Sequence, residues 1–368
     1  MELINGTRMP AAYTMGREPS GRDLLVVAVK GTFRIPAHGE HGRLADEQVP
    51  LITADAFTGA PGMSAPVYEM DFAPRKRRCD VLLLGNAHAP HGRPALRVPV
   101  DVRVGDMHKT FAVVGDRAWR AGIAGISASD PKPFTSMPVT YDRAFGGADD
   151  RDDDRSRHTA FTRNPVGRGF HKQMRSEWVD GTALPNTEEL DRPVTWPDRD
   201  YVPMAFGPIG RGWEPRRRYA GTYDQHWLDE HFPFLPPDFD EAYYQAAPLD
   251  QQIAHPGGGE PVTLVNLTVD GHVGFTLPTF DAPVHFFPKR GGREDGKLVL
   301  DTIVIEPDEG RFTLTWRATR PLKRDMFEVA QIIVGRKAPA WWSAREEASL
   351  LLPVILAAAG PTGGGPAA

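Results

Sequence analysis

Apolar residues in this chain recur at every second position, and that period rules out most helical folds. In Val98 to Val104, VPVDVRV, valines occupy 98, 100, 102 and 104 while Asp101 and Arg103 fall between them. Successive side chains of an extended strand point to opposite faces, so this segment has one apolar and one polar side. GDMHK then reads as a turn and TFAVV as the returning strand. Leu24 to Ile35, LLVVAVKGTFRI, is β-branched, apolar and free of proline, and it also reads as a strand. Farther along, VNLTV and HVGFTL flank Asp270-Gly271, a pair favoured in two-residue hairpins because glycine accepts positive φ. KLVLDTIVIEPDEGRFTLTWRA makes another hairpin with a longer turn.

With 37 glycines and 35 prolines the chain must turn often. The expected fold is mainly β: antiparallel, sandwich-like lobes with long ordered loops and little helix. The best helix candidate begins at Ser343, where Ser-Ala-Arg-Glu sets Glu346 to complete a capping box. At 368 residues two lobes are expected. An N-terminal β-rich lobe takes residues 1–130, and a loop-rich aromatic region, 131–255, packs on the lobes. A C-terminal β-rich lobe takes 256–342, with 1–342 as one unit, and a short helix and tail take 343–368. So long an aperiodic middle must pack by its own side chains or carry function.

The formal charge of -5 offers no whole-chain reason to bind nucleic acid, and one cysteine, Cys79, excludes an intrachain disulfide. The N-terminus lacks a signal-peptide core, and LLLPVILAAA is too short to span a bilayer. A cytoplasmic, membrane-free protein is the expectation. AFGG and NPVGRGF resemble phosphate loops but lack the strand-to-helix setting and the lysine, so they read as turns that let Phe145 and Phe170 pack. The DDRDDDR between them lacks calcium-loop spacing and reads as a solvated insertion. His88 and His91 read as loop histidines bonded to backbone; His226 and Glu230 stand one turn apart if their segment is helical. HExxH and GxSxG are absent, so no catalytic, cofactor or metal residues are assigned. The enzymatic alternative is a carbohydrate hydrolase using Asp238 and Asp240 among aromatic sugar platforms.

The ordered string of motifs carries a further signal. GRDLLVVAVKGTF, YEMDFAPRKRRCDVLLLGNAHAP, PFTSMPVTYDRAFGG, NPVGRGF, FGPIGRGWEPRRRYAGTYDQHW, AAPLDQQ and DTIVIEPDEGRFTLTWRA closely resemble, in order, the bacterial family of domain of unknown function 2169. Two departures from the family pattern stand out: RKRRCD, where a lysine-proline-glycine turn before the aspartate is more usual, and the acidic insert after AFGG. The resemblance implies a non-enzymatic adaptor or chaperone of type VI secretion. Its partners would be an effector with a PAAR-like domain and the spike protein that receives it. A structural component of the spike complex is the other reading of the same resemblance. No catalytic residues come with the family. The residues expected at the partner interface are Trp213, Arg216, Arg217, Arg218, Tyr219, Tyr223 and Trp227, since arginine beside rigid aromatics is typical of interface hot spots. The competing reading is an internal salt-bridge network that holds the loops.

Overall fold

A computed structural model describes residues 1–36, 39–123 and 125–345. The long apolar run forms the strand Asp23–Arg34, buried without interruption from Leu24 to Phe33. Burial on both faces requires covered sides and a partner at each edge, and the strand has both. It sits in a seven-stranded sheet ordered Gln252–Ile253, Cys79–Leu83, Val299–Glu306, Arg311–Pro321, Asp23–Arg34 and Ala11–Arg17, with Arg43–Leu44 pairing separately on Asp23–Arg34. Within this sheet, among the described residues, Cys79–Leu83 and Val299–Glu306 are the one parallel pair.

A five-stranded sheet follows the order Thr187–Glu188, Met107–Val114, Arg97–Val104, Pro261–Val265, His272–Thr276. A four-stranded sheet joins Glu2–Asn5, Val329–Val334, Pro283–Pro288 and Glu294–Lys297. The protein is mostly β, and each of these sheets combines strands from residues 1–130 with strands from 256–342. Val98, Val100, Val102 and Val104 enter one apolar cluster with Val27, Val29, Phe111, Leu264, Phe312 and Leu314, so the alternation is satisfied by packing sheet on sheet. Each such buried side chain contributes roughly 1.5–3 kcal/mol.

The turns differ from expectation. Met107 pairs with Val104, so Gly105, at φ 56°, and Asp106 are the whole turn, and MHK belongs to the strand. Conversely, Val265 pairs with His272, leaving residues 266–271 as a longer loop in place of a two-residue Asp-Gly turn. Asn266 takes φ 55°, which ends the ladder and lets Leu267 drop into the core. Helical backbone spans residues 339–345 and so begins ahead of Ser343, whose hydroxyl donates to the Pro339 carbonyl (3.4 Å). Glu346, LLLPVILAAA and the tail lie outside the described residues.

The middle region packs by its own side chains. Phe145–Gly146 pairs in parallel with Arg168–Gly169, and the Asn164 amide donates to the carbonyls of Tyr141 (2.9 Å) and Phe145 (3.1 Å). A Cβ at Gly167 would stand 2.4 Å from Asn164 Nδ2 and 2.5 Å from the Ala144 carbonyl, so close approach requires glycine there. Phe145 meets Phe161, Phe170 and Tyr201 edge-on. The acidic insert is not wholly solvated: buried Asp149 accepts the Lys172 (2.9 Å) and Gln173 (2.7 Å) backbone N–H groups.

Inside the seven-stranded sheet lies a network of buried charge. Lys30 donates to Asp71 (2.9 Å), whose other carboxylate oxygen accepts Thr315 (3.2 Å). Arg317 donates to the Asp71 carbonyl (2.7 Å) and pairs with Asp301, the extra residue of a β-bulge between Leu300 and Thr302. Lys76 donates to Asp80 (2.6 Å) and Thr302 (3.0 Å). Removing one member of such a set strands the others without water. Arg317→Met and Asp71→Ala are each expected to lower stability by ~3–5 kcal/mol, read as a shifted urea midpoint. A shift under about 1 kcal/mol would show that the network is hydrated.

Candidate functional site

The candidate partner-binding residues sit where the middle region crosses the sheet edge. One strand residue fixes this crossing: the Asp80 carboxylate accepts the Gln245 side-chain amide (2.7 Å) and the Ala246 backbone N–H (2.8 Å). The segment before Gln245 is thereby held against Cys79–Leu83, and it presents the Tyr243 carbonyl to Arg216. The first short helix, α1, is Ser176–Val179; Arg216, on the next, α2 (Glu214–Arg217), is almost fully buried. Its guanidinium donates to the carbonyls of Ile209 (2.9 Å) and Tyr243 (2.8 and 3.2 Å) and pairs with Glu69 (2.7 Å). Trp213 is also buried, edge-on to Tyr141 at 5.2 Å.

Arg211 completes this support. It forks onto Asp55 (2.7 and 3.2 Å) and reaches Glu69 (2.8 Å). Burial works against the Arg211 charge, yet the Asp55 hydrogen bond and the Glu69 and Asp55 charges outweigh it and hold the guanidinium above its ordinary range. For Asp55 burial again acts against the charge; the Arg211 and Met70 hydrogen bonds overcome it and keep the carboxyl below the usual carboxylate value.

Two clefts flank Arg216. One, about 310 Å³, is lined by Asp55, Tyr68, Glu69, Arg211 and Trp213. The other, about 390 Å³, brings together Arg77, Arg78, Arg163, Arg216 and Arg218 with Tyr141, Tyr219, Val202 and Leu249. Arg77 is tied to Asp240 (2.8 Å) and Glu241 (3.6 Å), and Arg163 to Asp200. The Arg218 guanidinium lies 4.9 Å over the Tyr219 ring. Val202 and Leu249 are exposed at this opening, Leu249 by 75%. Burial, and secondarily the Asp250 charge, push the Tyr141 phenol upward, so it remains a neutral donor in the cleft wall.

The expected set therefore divides. Trp213 and Arg216 are buried inside, whereas Arg217, Arg218 and Tyr223 are exposed and Tyr219 and Trp227 half-buried. Tyr223 and Trp227 meet edge-on at 4.7 Å beside the helix α3 (Gln225–Glu230), and Leu228, Phe232 and Phe234 near them are exposed. This projection is anchored where Phe234 packs on Gly21 and under Arg17, whose guanidinium is 5.5 Å from the ring. Sequence reading missed Arg77, Arg78 and Arg163, which converge from distant segments; the dense RKRR run before Asp80 was the available signal.

The remaining candidates fall elsewhere. Asp238 accepts the Thr222 N–H (2.9 Å) and hydroxyl (2.7 Å), bonds that hold its carboxyl below the usual range, opposite to the shift a glycosidic general acid needs. Asp240 accepts the Ala242 N–H (2.7 Å) and pairs with Arg77. His88 pairs with the Asp308 side chain (2.7 Å) instead of backbone, while His91, at φ 57°, is exposed in the turn. His226 from the first turn of α3, Glu230 at its last position and His231 just after it come together on one side. Among the described residues no helix is long and apolar enough to cross a membrane.

The family described as an uncharacterized protein conserved in bacteria, domain of unknown function 2169, matches residues 20–317, the greater part of the chain. No curated protein and no solved structure matches it.

Removing the Arg216 guanidinium leaves buried carbonyls unpaired. Arg216→Ala should lower stability by ~2–4 kcal/mol while exposed Arg217→Ala stays within about 0.5 kcal/mol, compared by urea denaturation. The depressed Asp55 value sets a pH sign: its contribution is fully present above about pH 4, the unfolded value, and is lost as pH falls through the lower folded value. Asp55→Asn should accordingly flatten the fall of stability between about pH 4 and pH 2, followed by thermal unfolding at each pH.

Proposed function

The chain belongs to the bacterial family of domain of unknown function 2169, and on that premise we propose that it is a non-enzymatic cytoplasmic adaptor. It binds a type VI secretion effector bearing a PAAR-like domain and assists its loading onto the spike protein. The observation that carries this reading is the division of the Trp213–Trp227 segment into a buried half and an exposed half. Buried Trp213 and Arg216 make a rigid mount, and rigidity lowers the ordering cost that association must overcome. On that mount stand the arginine-lined cleft with Arg218 and Tyr219 and the projection carrying Tyr223, Trp227 and Phe232.

Such a surface suits a client with apolar segments flanked by acidic groups. Exposed aromatics supply contact area at small entropy cost, and arginine supplies planar, charge-assisted hydrogen bonds to carboxylates. Phe232, 62% exposed, and Leu228, 51% exposed, would be covered by the client.

Co-expression with a PAAR-like effector encoded beside this protein, followed by affinity capture, tests the reading. The natural chain is expected to raise the soluble effector and to be captured with it. Arg218→Glu combined with Tyr223→Ala should weaken capture by ~30-fold or more, as hot-spot loss of about 2 kcal/mol implies. Equal effector solubility and equal spike loading without this protein would end the adaptor reading. Dependence on the chain with full binding by the double variant would move the contact to another face.

A further inference from the structure

We infer that His226, Glu230 and His231 form a binding site for a divalent transition-metal ion of the zinc class. His226 is the second residue of α3, Glu230 its last, and His231 follows directly after it. Asp224 caps the start of the helix by accepting the Trp227 N–H (2.9 Å), and the His231 N–H closes its end on the Trp227 carbonyl (2.9 Å). With both ends fixed, His226 and Glu230 stand one turn apart on one face, Nδ1 to Oε1 3.5 Å. His231 follows on the same side, its ring centroid 5.5 Å from that of His226 and nearly perpendicular to it.

One ligand atom from each residue lies within 4.8 Å of the other two. An ion held at about 2.0–2.2 Å by tetrahedral ligands separates their donor atoms by about 3.3–3.6 Å. His226 and Glu230 already stand at that separation, and a small rotation of the His231 side chain closes the remainder. His226 and Glu230 are exposed and His231 is half-buried, so an ion can enter from solvent.

Chemistry selects the class of ion. Two imidazole nitrogens and one carboxylate oxygen suit zinc and its first-row neighbours, whereas calcium and magnesium require a shell of oxygens. Three protein ligands leave one tetrahedral position open to water or to a side chain of a bound protein. The ion would also tie α3 to the residues that follow it, where Phe232 packs edge-on against Trp227 at 5.7 Å. The exposed aromatic projection would thereby be held in one conformation. This inference stands on the geometry of α3 and does not need the adaptor reading.

Calorimetric titration of the full chain with zinc chloride is the test. One saturable equivalent is expected; His226→Gln and His231→Gln should each weaken it by ~10-fold or more, since even loss of a residue supporting a ligand costs 10–100-fold. His91→Gln, an exposed histidine elsewhere, should bind as the natural chain does. Cobalt(II) should give the visible absorption of a four-coordinate ion in the natural chain and lose it in both variants. Glu230→Gln provides a third variant should either histidine replacement disturb folding, which urea midpoints would reveal. No saturable zinc binding, or binding that all three variants retain, overturns the inference.

Discussion

The fold depends on burying Lys30, Lys76 and Arg317 with Asp71, Asp80 and Asp301 inside one sheet. Desolvating six charges is costly, and a well-packed apolar set of similar shape would match or exceed the stability they provide. Their effect is on alignment. The strands Asp23–Arg34, Cys79–Leu83, Val299–Glu306 and Arg311–Pro321 each contribute a charged or polar member, and the loop carrying Asp71 and Lys76 reaches in to join them. A one-residue slip of any strand turns its charge toward an apolar layer. The bulge at Asp301 is part of the same device, since it re-aims the Asp301 side chain to meet Arg317.

The candidate site inherits its geometry from this network through a short chain of contacts. Asp80 is shared: it receives Lys76 from within the sheet and Gln245 and Ala246 from the middle region. Two residues earlier, Tyr243 offers its carbonyl to Arg216, and Arg216 in turn bonds Glu69 and Ile209. Few of these links lie at the surface, so the exposed side chains above them can vary while their mount stays the same. Irregular backbone is thus held as firmly as a strand would be, by buried polar anchors in place of a ladder.

Strands were legible because alternation is a local property: VPVDVRV states its two faces without reference to any other segment, and the packed structure honours them. Turn positions were less so. The Asp270-Gly271 pair predicts a two-residue turn, but the left-handed backbone at Asn266 ends the ladder first, and nothing in the alternation announces that change. The Ser343 start failed for a related reason, since one favourable cap does not prevent helix from starting upstream. At the site, residue types marked the segment but not its division. Arg216 and Arg217 are adjacent and chemically identical; which one is buried depends on Glu69, far away in sequence. Arg77, Arg78 and Arg163 were invisible as a group because only the fold brings them to one cleft.

The parallel pairing of Glu2–Asn5 with Val329–Val334 has a temporal consequence. During vectorial synthesis Glu2–Asn5 is made more than 300 residues before its partner Val329–Val334, and Asp23–Arg34 waits similarly for Arg311–Pro321. Until then the nascent chain carries long apolar edges with no permanent neighbour. A protein whose own sheets close so late passes through a stretch of its life needing the kind of shelter that a helper protein gives to its client.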